Sequence, residues 1–239
     1  MARRDISIVI PVYNEQDNIK PLIAELREVL SGLKESFEII LVDDGSRDRS
    51  FAILKEVASQ NPTIRLIRFK ENTGQTAAFD AGFRAARGNI IVTMDADLQN
   101  DPRDIPRLLK KIGEFDVVCG WRYKRKDPWI KVVSSKIANF VRNKLSQEEI
   151  ADTGCSLKAF RKECLQNVKL FNGMHRFLPT LAKMEGFTVI QIKVNHRPRR
   201  FGTTKYNIKN RMLRAFADLL AVRWMKRRHL KYEIAETIR

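Results

Sequence analysis

The strongest constraint on this chain is a rhythm in its first hundred residues, where short apolar runs alternate with helical patterns. The spacing predicts strands over Ile6–Val12, Phe37–Val42, Ile64–Phe69 and Asn89–Met94, separated by helices over Asn18–Leu30, Ser50–Ser59 and Thr76–Arg87. Apolar strands joined through helices are the pattern of βαβ units, whose parallel sheet is covered on both faces. In such sheets ligands bind beyond the carboxyl ends of the strands. The residues just past three of these strand ends are Tyr13-Asn14-Glu15, Asp43-Asp44-Gly45-Ser46 and Asp95-Ala96-Asp97. Three acidic groups should therefore gather on one edge.

The last of them carries the most chemistry. Ile90-Ile91-Val92-Thr93-Met94 stops abruptly at Asp95-Ala96-Asp97-Leu98-Gln99. Two carboxylates at the tip of a buried strand repel each other and lose solvation unless a cation compensates them. Oxygen ligands without His or Cys suit a hard ion, Mg²⁺ or Mn²⁺, which keeps positions open for phosphate oxygens. The expectation is a site for a metal-bound diphosphate; the plainer alternative is a solvated Asp-rich turn ahead of the helix after Pro102.

Charge divides the chain. Residues 1–100 hold 13 Lys+Arg against 15 Asp+Glu, whereas residues 101–239 hold 32 against 13, so the net +17 resides in the second part. That part should face something anionic: phosphates, an acidic lipid surface or nucleic acid. Val117-Val118-Cys119-Gly120 is a further predicted strand, leaving into the basic, aromatic loop Trp121-Arg122-Tyr123-Lys124-Arg125-Lys126. A helix is expected over 129–145, carrying Lys131, Lys136, Arg142 and Lys144. After a strand over Phe187–Val194, the stretch from Asn195 to Tyr206 reads as a mobile cationic clamp.

Ile208 to Leu230 is predicted helical, with an apolar stripe of Ile208, Met212, Phe216, Leu219 and Leu220 among basic residues and Trp224. A basic amphipathic helix with an interfacial tryptophan fits an anionic membrane surface; packing on the domain is the alternative. No stretch is apolar enough to span a bilayer, and the Met-Ala-Arg-Arg start lacks a signal-peptide core. A cytoplasmic location follows as an expectation. Cys119, Cys155 and Cys164, without metal-ligand spacing, are expected to be reduced core thiols.

Neither G-x-x-x-x-G-K-[ST] nor G-x-G-x-x-G occurs, which argues against a P-loop NTPase or a classical dinucleotide enzyme. His175, His196 and His229 lie in basic surroundings that suit loop packing or phosphate contact better than base catalysis. Pro11-Val12-Tyr13-Asn14-Glu15, Val42-Asp43-Asp44-Gly45-Ser46, Asp95-Ala96-Asp97-Leu98-Gln99 and the Arg199-to-Lys205 loop together resemble the family 2 glycosyltransferases. Within them the chain is most similar to the polyprenyl- and dolichyl-phosphate hexose synthases.

The resemblance implies a GT-A fold, Rossmann-like and nucleotide-sugar-binding, with a mostly parallel central sheet and helices on both faces, to which the residue pattern adds a C-terminal basic amphipathic helix. The expected division is a GT-A glycosyltransferase domain over 1–206 and the basic amphipathic helix and tail over 207–239. The resemblance assigns Pro11, Tyr13 and Glu15 to the base and ribose pocket, Val42 with Asp43 or Asp44 to the base, and Asp95 and Ala96 to the donor. Asp97 and Gln99 would hold the divalent ion, Arg199 and Lys205 the diphosphate, and Arg122 the acceptor phosphate, aided by Lys136 and Arg142. Asp152 is a candidate acceptor-side residue, its alternative a loop hydrogen bond.

A phosphate monoester acceptor, with its second pKa of about 6, is already largely dianionic and needs cations more than a base. The resemblance therefore implies a metal-dependent, inverting transferase moving a hexose from a GDP- or UDP-sugar to polyprenyl or dolichyl phosphate. It would work peripherally on the inner face of the cell membrane, on an anionic lipid surface or a membrane protein partner. Two other readings stand beside it: a glycan or protein hydroxyl as acceptor, with Asp152 as base, and a basic nucleic-acid-binding protein supported by charge alone.

Overall fold

A computed structural model describes residues 5–123, 150–166, 168–201, 208–230 and 235–236. Strands β1 (Ile6–Val12), β2 (Phe37–Asp43), β3 (Ile64–Arg68), β4 (Ile90–Thr93), β5 (Val117–Arg122), β6 (Lys158–Arg161) and β7 (Val189–Val194) form one sheet, in the order β3-β2-β1-β4-β6-β5-β7. Every pairing is parallel except those of β6, which runs antiparallel to both β4 and β5. Helices α1 (Gln16–Ser31), α2 (Ser50–Ser59), α3 (Gln75–Ala85) and α4 (Ile105–Ile112) are the crossovers of the first half. Short helices α5 (Glu163–Gln166) and α6 (Leu178–Met184) and the long α7 (Ile208–Arg228) follow.

Alternation along β1 explains the two-sided core. Ile8 and Ile10 project to one face, where Ile19, Leu22, Leu26 and Leu30 of α1 and Leu108 of α4 cover them. Val9, between them, projects to the other face and meets Phe79 and Phe83 of α3. Successive side chains point to opposite sides of a strand, so a run buried on both faces must be continuously apolar. Gly82 lets α3 approach closely: a Cβ there would lie 2.2 Å from Val9 Cγ1. A third, smaller cluster joins Met174, Phe177 and Leu181 to Leu219 and Val222 of α7.

The predicted elements of the first half are present; Ile6–Val12 and Ser50–Ser59 match at both ends, and the others differ by at most two residues. The strand expected over Phe187–Val194 spans Val189–Val194. β6 was not anticipated: Lys-Ala-Phe-Arg is four residues long with a cation at each end, too short for alternation to announce it. Cys119, Cys155 and Cys164 are free and buried, and burial pushes their thiols up to about 12, 11 and 12. The expected 129–145 helix, and with it Lys136 and Arg142, lies outside the described residues, as does Lys205.

The expected single apolar stripe of the last helix is corrected. Leu219 turns inward with Val222, whereas Phe216 and Leu220 face solvent, so the end of α7 carries apolar residues on two sides. No described helix is long and apolar enough to cross a membrane.

Candidate active site

The parallel register brings the carboxyl ends of β1, β2 and β4 to one edge, and the loops that leave them are tied together. Asn14, held in the left-handed region at φ 51°, donates its N–H to Ser46 Oγ (3.0 Å) and accepts from the Arg47 N–H (2.8 Å). Glu15 donates its N–H to Ser50 Oγ, and its carboxylate accepts from Asn18 Nδ2 at 2.6 Å. Pro11 and Tyr13 are half-buried beside them on the same edge.

The two carboxylates ending β2 turn inward. Asp43 is fully buried, accepts from the Ser46 N–H (3.2 Å) and lies 3.5 Å from Arg68 Nε. Asp44 accepts from the N–H groups of Thr73 (2.7 Å) and Gly74 (3.0 Å) and from Asn72 Nδ2 (2.8 Å). Burial nevertheless raises its pKa, against those two backbone donors. Gly45 completes the arrangement: at φ +67°, a Cβ there would lie 2.4 Å from the Glu71 carbonyl carbon. Val42 is core. Val42, Asp43 and Asp44 are thus all buried at the end of β2, where the two acids brace the loop that follows.

The β4 end is different. Asp95 accepts from Gln75 Nε2 at 2.7 Å, and its N–H donates to Ser156 Oγ at 3.2 Å. Burial raises its pKa, opposed by the Ser156 hydroxyl and by the charges of Lys158, Arg122 and Arg199. Ala96 is buried between the two aspartates. Asp97 is raised to about 6, chiefly by burial and then by the neighbouring Asp95 charge. Its Oδ1 accepts from the Gln99 N–H at 3.2 Å, and its Oδ2 lies 2.7 Å from Arg199 Nη2. Leu98, between Asp97 and Gln99, is held at φ 61°, a conformation that costs a side chain about 1–2 kcal/mol. Strain of that kind collects where a loop must aim particular groups.

Arg199 supplies the cation that this edge requires. Its guanidinium lies 2.7 Å from Asp97 and 3.7 Å from Glu15, bridging the β4 and β1 ends. The segment leading to it is fastened rather than mobile. Arg197 donates its N–H to the Gln99 carbonyl (2.9 Å), and its guanidinium meets Glu25 at 2.6 Å and Asp101 at 2.7 Å. Asn195 donates to Asp104 at 2.7 Å, and the Gln99 amide donates to the Arg197 carbonyl at 3.4 Å. Of the mobile cationic clamp expected over Asn195 to Tyr206, residues 195–199 are tied to the domain by these bonds, which aim Arg199 inward, and residues 202–206 lie outside the described residues.

Arg122, leaving β5, is gripped by Asp152 in a two-pronged pair, Nε to Oδ2 at 2.7 Å and Nη2 to Oδ1 at 2.8 Å. Both side chains are largely shielded. Asp152 also accepts from the Arg122 backbone N–H at 3.2 Å. A carboxylate so engaged fixes a guanidinium plane.

Sequence reasoning missed three contributors. Gln75 heads α3 and reaches Asp95 across the crossover. Ser156 joins Asp95 to Asn100, whose Nδ2 donates to the same hydroxyl at 2.7 Å. Lys158 is a buried ammonium on β6 that donates to the Thr153 and Cys155 carbonyls and places a positive charge near Asp95. A lysine inside the apolar stretch Leu157–Phe160 was the available signal. His175, in contrast, is a packing group as expected, its Nδ1 2.7 Å from Thr76 Oγ1.

The family model of Glycosyl transferase family 2 matches residues 7–169, which include the three strand ends, Gln75, Arg122, Asp152 and Lys158. The chain is 36% identical over 229 residues to the dodecaprenyl-phosphate galacturonate synthase of Rhizobium johnstonii, covering 93% of this chain and 68% of that protein. The chain belongs to glycosyl transferase family 2. This family 2 glycosyltransferase also superposes on solved structures that share its architecture. Glucosyl-3-phosphoglycerate synthase from Mycobacterium tuberculosis, in complex with Mn²⁺, UDP-glucose and glycerol 3-phosphate, gives a TM-score of 0.70 at 18% identity over 93% of this chain and 80% of that one. A mannosyltransferase from Pyrobaculum calidifontis, in complex with GDP-mannose and Mn²⁺, gives 0.64 at 21% identity over 97% and 66%. The fold of the family 2 enzyme is accordingly GT-A-like, with a mostly parallel sheet.

The residues at the β4 end fit a divalent ion of a particular kind. Among the described residues no group of three or more His, Cys, Asp or Glu is placed to hold a metal, so these residues by themselves do not cage one. Carboxylate and carboxamide oxygens, with Asp97 already paired to a guanidinium, suit a hard ion that arrives with phosphate oxygens of its own.

Proposed function

We propose that this family 2 glycosyltransferase moves a hexose from a UDP- or GDP-sugar to a polyprenyl phosphate, inverting the anomeric centre by direct displacement, with Mg²⁺ or Mn²⁺ at the β4 end. The observation that carries this reading is the Asp97–Arg199 pair between Glu15 and Asp95, an acidic site provisionally neutralised by a guanidinium. The 36% identity to a dodecaprenyl-phosphate galacturonate synthase supports a polyprenyl phosphate as acceptor.

Asp97 and Gln99 would hold the ion, which when bound neutralises the departing nucleoside diphosphate. Asp95, fixed by Gln75 and Ser156, would orient the donor's ribose side. Pro11, Tyr13 and Glu15 would line the nucleotide cleft, with Asp43 and Asp44 bracing its floor. Arg199 would release Asp97 as the ion binds and turn its fork to the diphosphate, with Lys205 beside it, exchanging one set of anionic oxygens for another.

Arg122 would receive the acceptor phosphate, with Lys136 and Arg142 assisting. Asp152, with both oxygens on Arg122, serves better as the positioner of that guanidinium than as a base. The acceptor brings its own negative charge, so no proton need be removed. A lipid phosphate acceptor sets the reaction at a membrane surface, here proposed as the cytoplasmic face.

The test is transfer from a panel of labelled UDP- and GDP-sugars to short polyprenyl phosphates and to glycan hydroxyls, with Mn²⁺ and with chelator. Label entering the lipid phase from one donor, only with metal, is expected. Label entering hydroxyl acceptors alone would overturn the phosphate acceptor and return Asp152 to consideration as a base.

A further inference from the structure

The last turns of α7 are apolar on two sides, and among the described residues only one of those sides is packed against the domain. Leu219 and Val222 are buried against Met174, Phe177 and Leu181. Phe216, Leu220 and Trp224 are 50%, 45% and 64% exposed. At intervals of four they form one ridge, about 12 Å long at 1.5 Å per residue. A helix packed on its own domain needs one apolar face; a second, carrying phenylalanine and tryptophan in water, asks for a partner.

Charge identifies that partner. Arg223, Lys226, Arg227 and Arg228 crowd the same end of the helix, and Arg227 and Arg228 are exposed. The one acid between residues 216 and 230, Asp218, lies against the domain: a Cβ on Gly173 would come within 2.2 Å of its carboxylate. The ridge is thus flanked by cations. A second copy of the same face would set arginine against arginine, whereas an anionic lipid surface complements both the charge and the apolar ridge.

We propose that this outer face of α7 docks on an anionic bilayer, with Phe216, Leu220 and Trp224 entering the headgroup boundary and Arg227 and Arg228 on lipid phosphates. It deepens the lipid-acceptor reading and rests on that reading for its purpose, while its geometry comes from α7 alone. Tryptophan at such a ridge sits where an amphipathic ring is favoured, with its apolar body in the acyl region and its N–H toward water.

The experiment is flotation of the full chain with phosphatidylcholine vesicles, with and without phosphatidylglycerol. Flotation only with phosphatidylglycerol is expected, weakened roughly tenfold by Leu220→Ser with Trp224→Ser and again by Arg227→Gln with Arg228→Gln. Because these side chains are exposed, the helical circular dichroism should not change. Brominated lipid should quench the tryptophan emission of the wild type, and the quenched component should vanish in Trp224→Phe while flotation persists.

Equal binding to neutral vesicles, no binding, or flotation indifferent to the serine pair would overturn the proposal. So would a concentration-dependent dimer abolished by the same pair, because a second copy would then cover the ridge. Transfer to a short, water-soluble polyprenyl phosphate separates the two claims. Transfer without flotation sinks the docking surface and leaves the acceptor, and flotation without transfer does the reverse.

Discussion

Two carboxylate pairs flank β1 and look alike as sequence: Asp43-Asp44 ends β2, and Asp95 with Asp97 ends β4. In the first, Asp44 is satisfied from within by Asn72, Thr73 and Gly74, while Asp43 accepts from the Ser46 N–H through one oxygen and has Arg68 at 3.5 Å from the other, which has no hydrogen-bond partner. In the second, Asp97 has one backbone donor and depends on a guanidinium reaching over from residue 199. An acid whose oxygens are filled by neighbouring backbone is architecture. An acid neutralised by a side chain at the end of a segment can exchange that side chain for a ligand. Asp97, whose Oδ2 is met by the Arg199 guanidinium, belongs to the second kind, and burial and the Asp95 charge raise it to about 6.

The widest separation between the pairs should appear on substitution. Asp97→Ala is expected to lower transfer about a thousandfold while leaving the melting temperature within a few degrees, because its loss removes donor neutralisation and little packing. Asp44→Ala should act on folding. It strands the Thr73 and Gly74 N–H groups and costs about 3 kcal/mol, roughly 6–12 °C in melting temperature. Paired assays of soluble yield, thermal melting and rate on the two variants check both statements; similar melting losses would dissolve the distinction.

A smaller effect sharpens the role of Arg199. Arg199→Gln should bind Mn²⁺ alone several-fold more tightly than the wild type, since the competing guanidinium is gone. It should bind Mn²⁺ with nucleoside diphosphate about tenfold more weakly, having lost a charge-assisted fork. Arg200→Gln removes the same charge one residue away at an exposed position, and it should shift both affinities much less. Parallel shifts in the two variants would mean that general field, and not contact, is responsible.

The smallest expected effect is on pH. Asp97 is charged above about 6, and only the charged carboxylate ligates, so metal–nucleotide affinity should fall as pH drops through 6 and be about tenfold lower near pH 5. The linkage sign is the reverse for folding without metal. A carboxyl raised from 3.8 to about 6 takes up protons in the folded state, so its contribution to stability is present below 3.8 and is lost as pH rises through 6. Melting curves of Asp97→Asn beside the wild type, with chelator, should show the variant losing less stability across that interval.

Much of this organisation was legible in the chain itself. Continuous Ile/Val runs announced a doubly covered sheet, and the strand-end rule placed Glu15 and Asp95–Asp97 on one edge. The difference between the two acidic pairs was not legible, because it depends on which distant donors arrive. Asn72, Thr73 and Gly74 reach Asp44 from the next crossover, and Arg199 reaches Asp97 across a hundred positions. β6 escaped notice because antiparallel insertion between β4 and β5 needs only four residues. Arg122 and Asp152 were singled out separately, but their pairing is a tertiary fact. α7 hid its two-sidedness for the same reason, since spacing alone assigned Leu219 and Leu220 to one stripe.

The most direct measurement is a Mn²⁺ paramagnetic-resonance titration of the wild type and Asp97→Asn, each with and without nucleoside diphosphate. Measured against nucleotide alone, which itself takes up Mn²⁺, further depletion of the free Mn²⁺ signal by the wild type with nucleotide, lost in Asp97→Asn, is the predicted result. Equal depletion by both proteins, or none in the wild type with either UDP or GDP, would contradict the assignment of the β4 end as the site where metal and diphosphate meet.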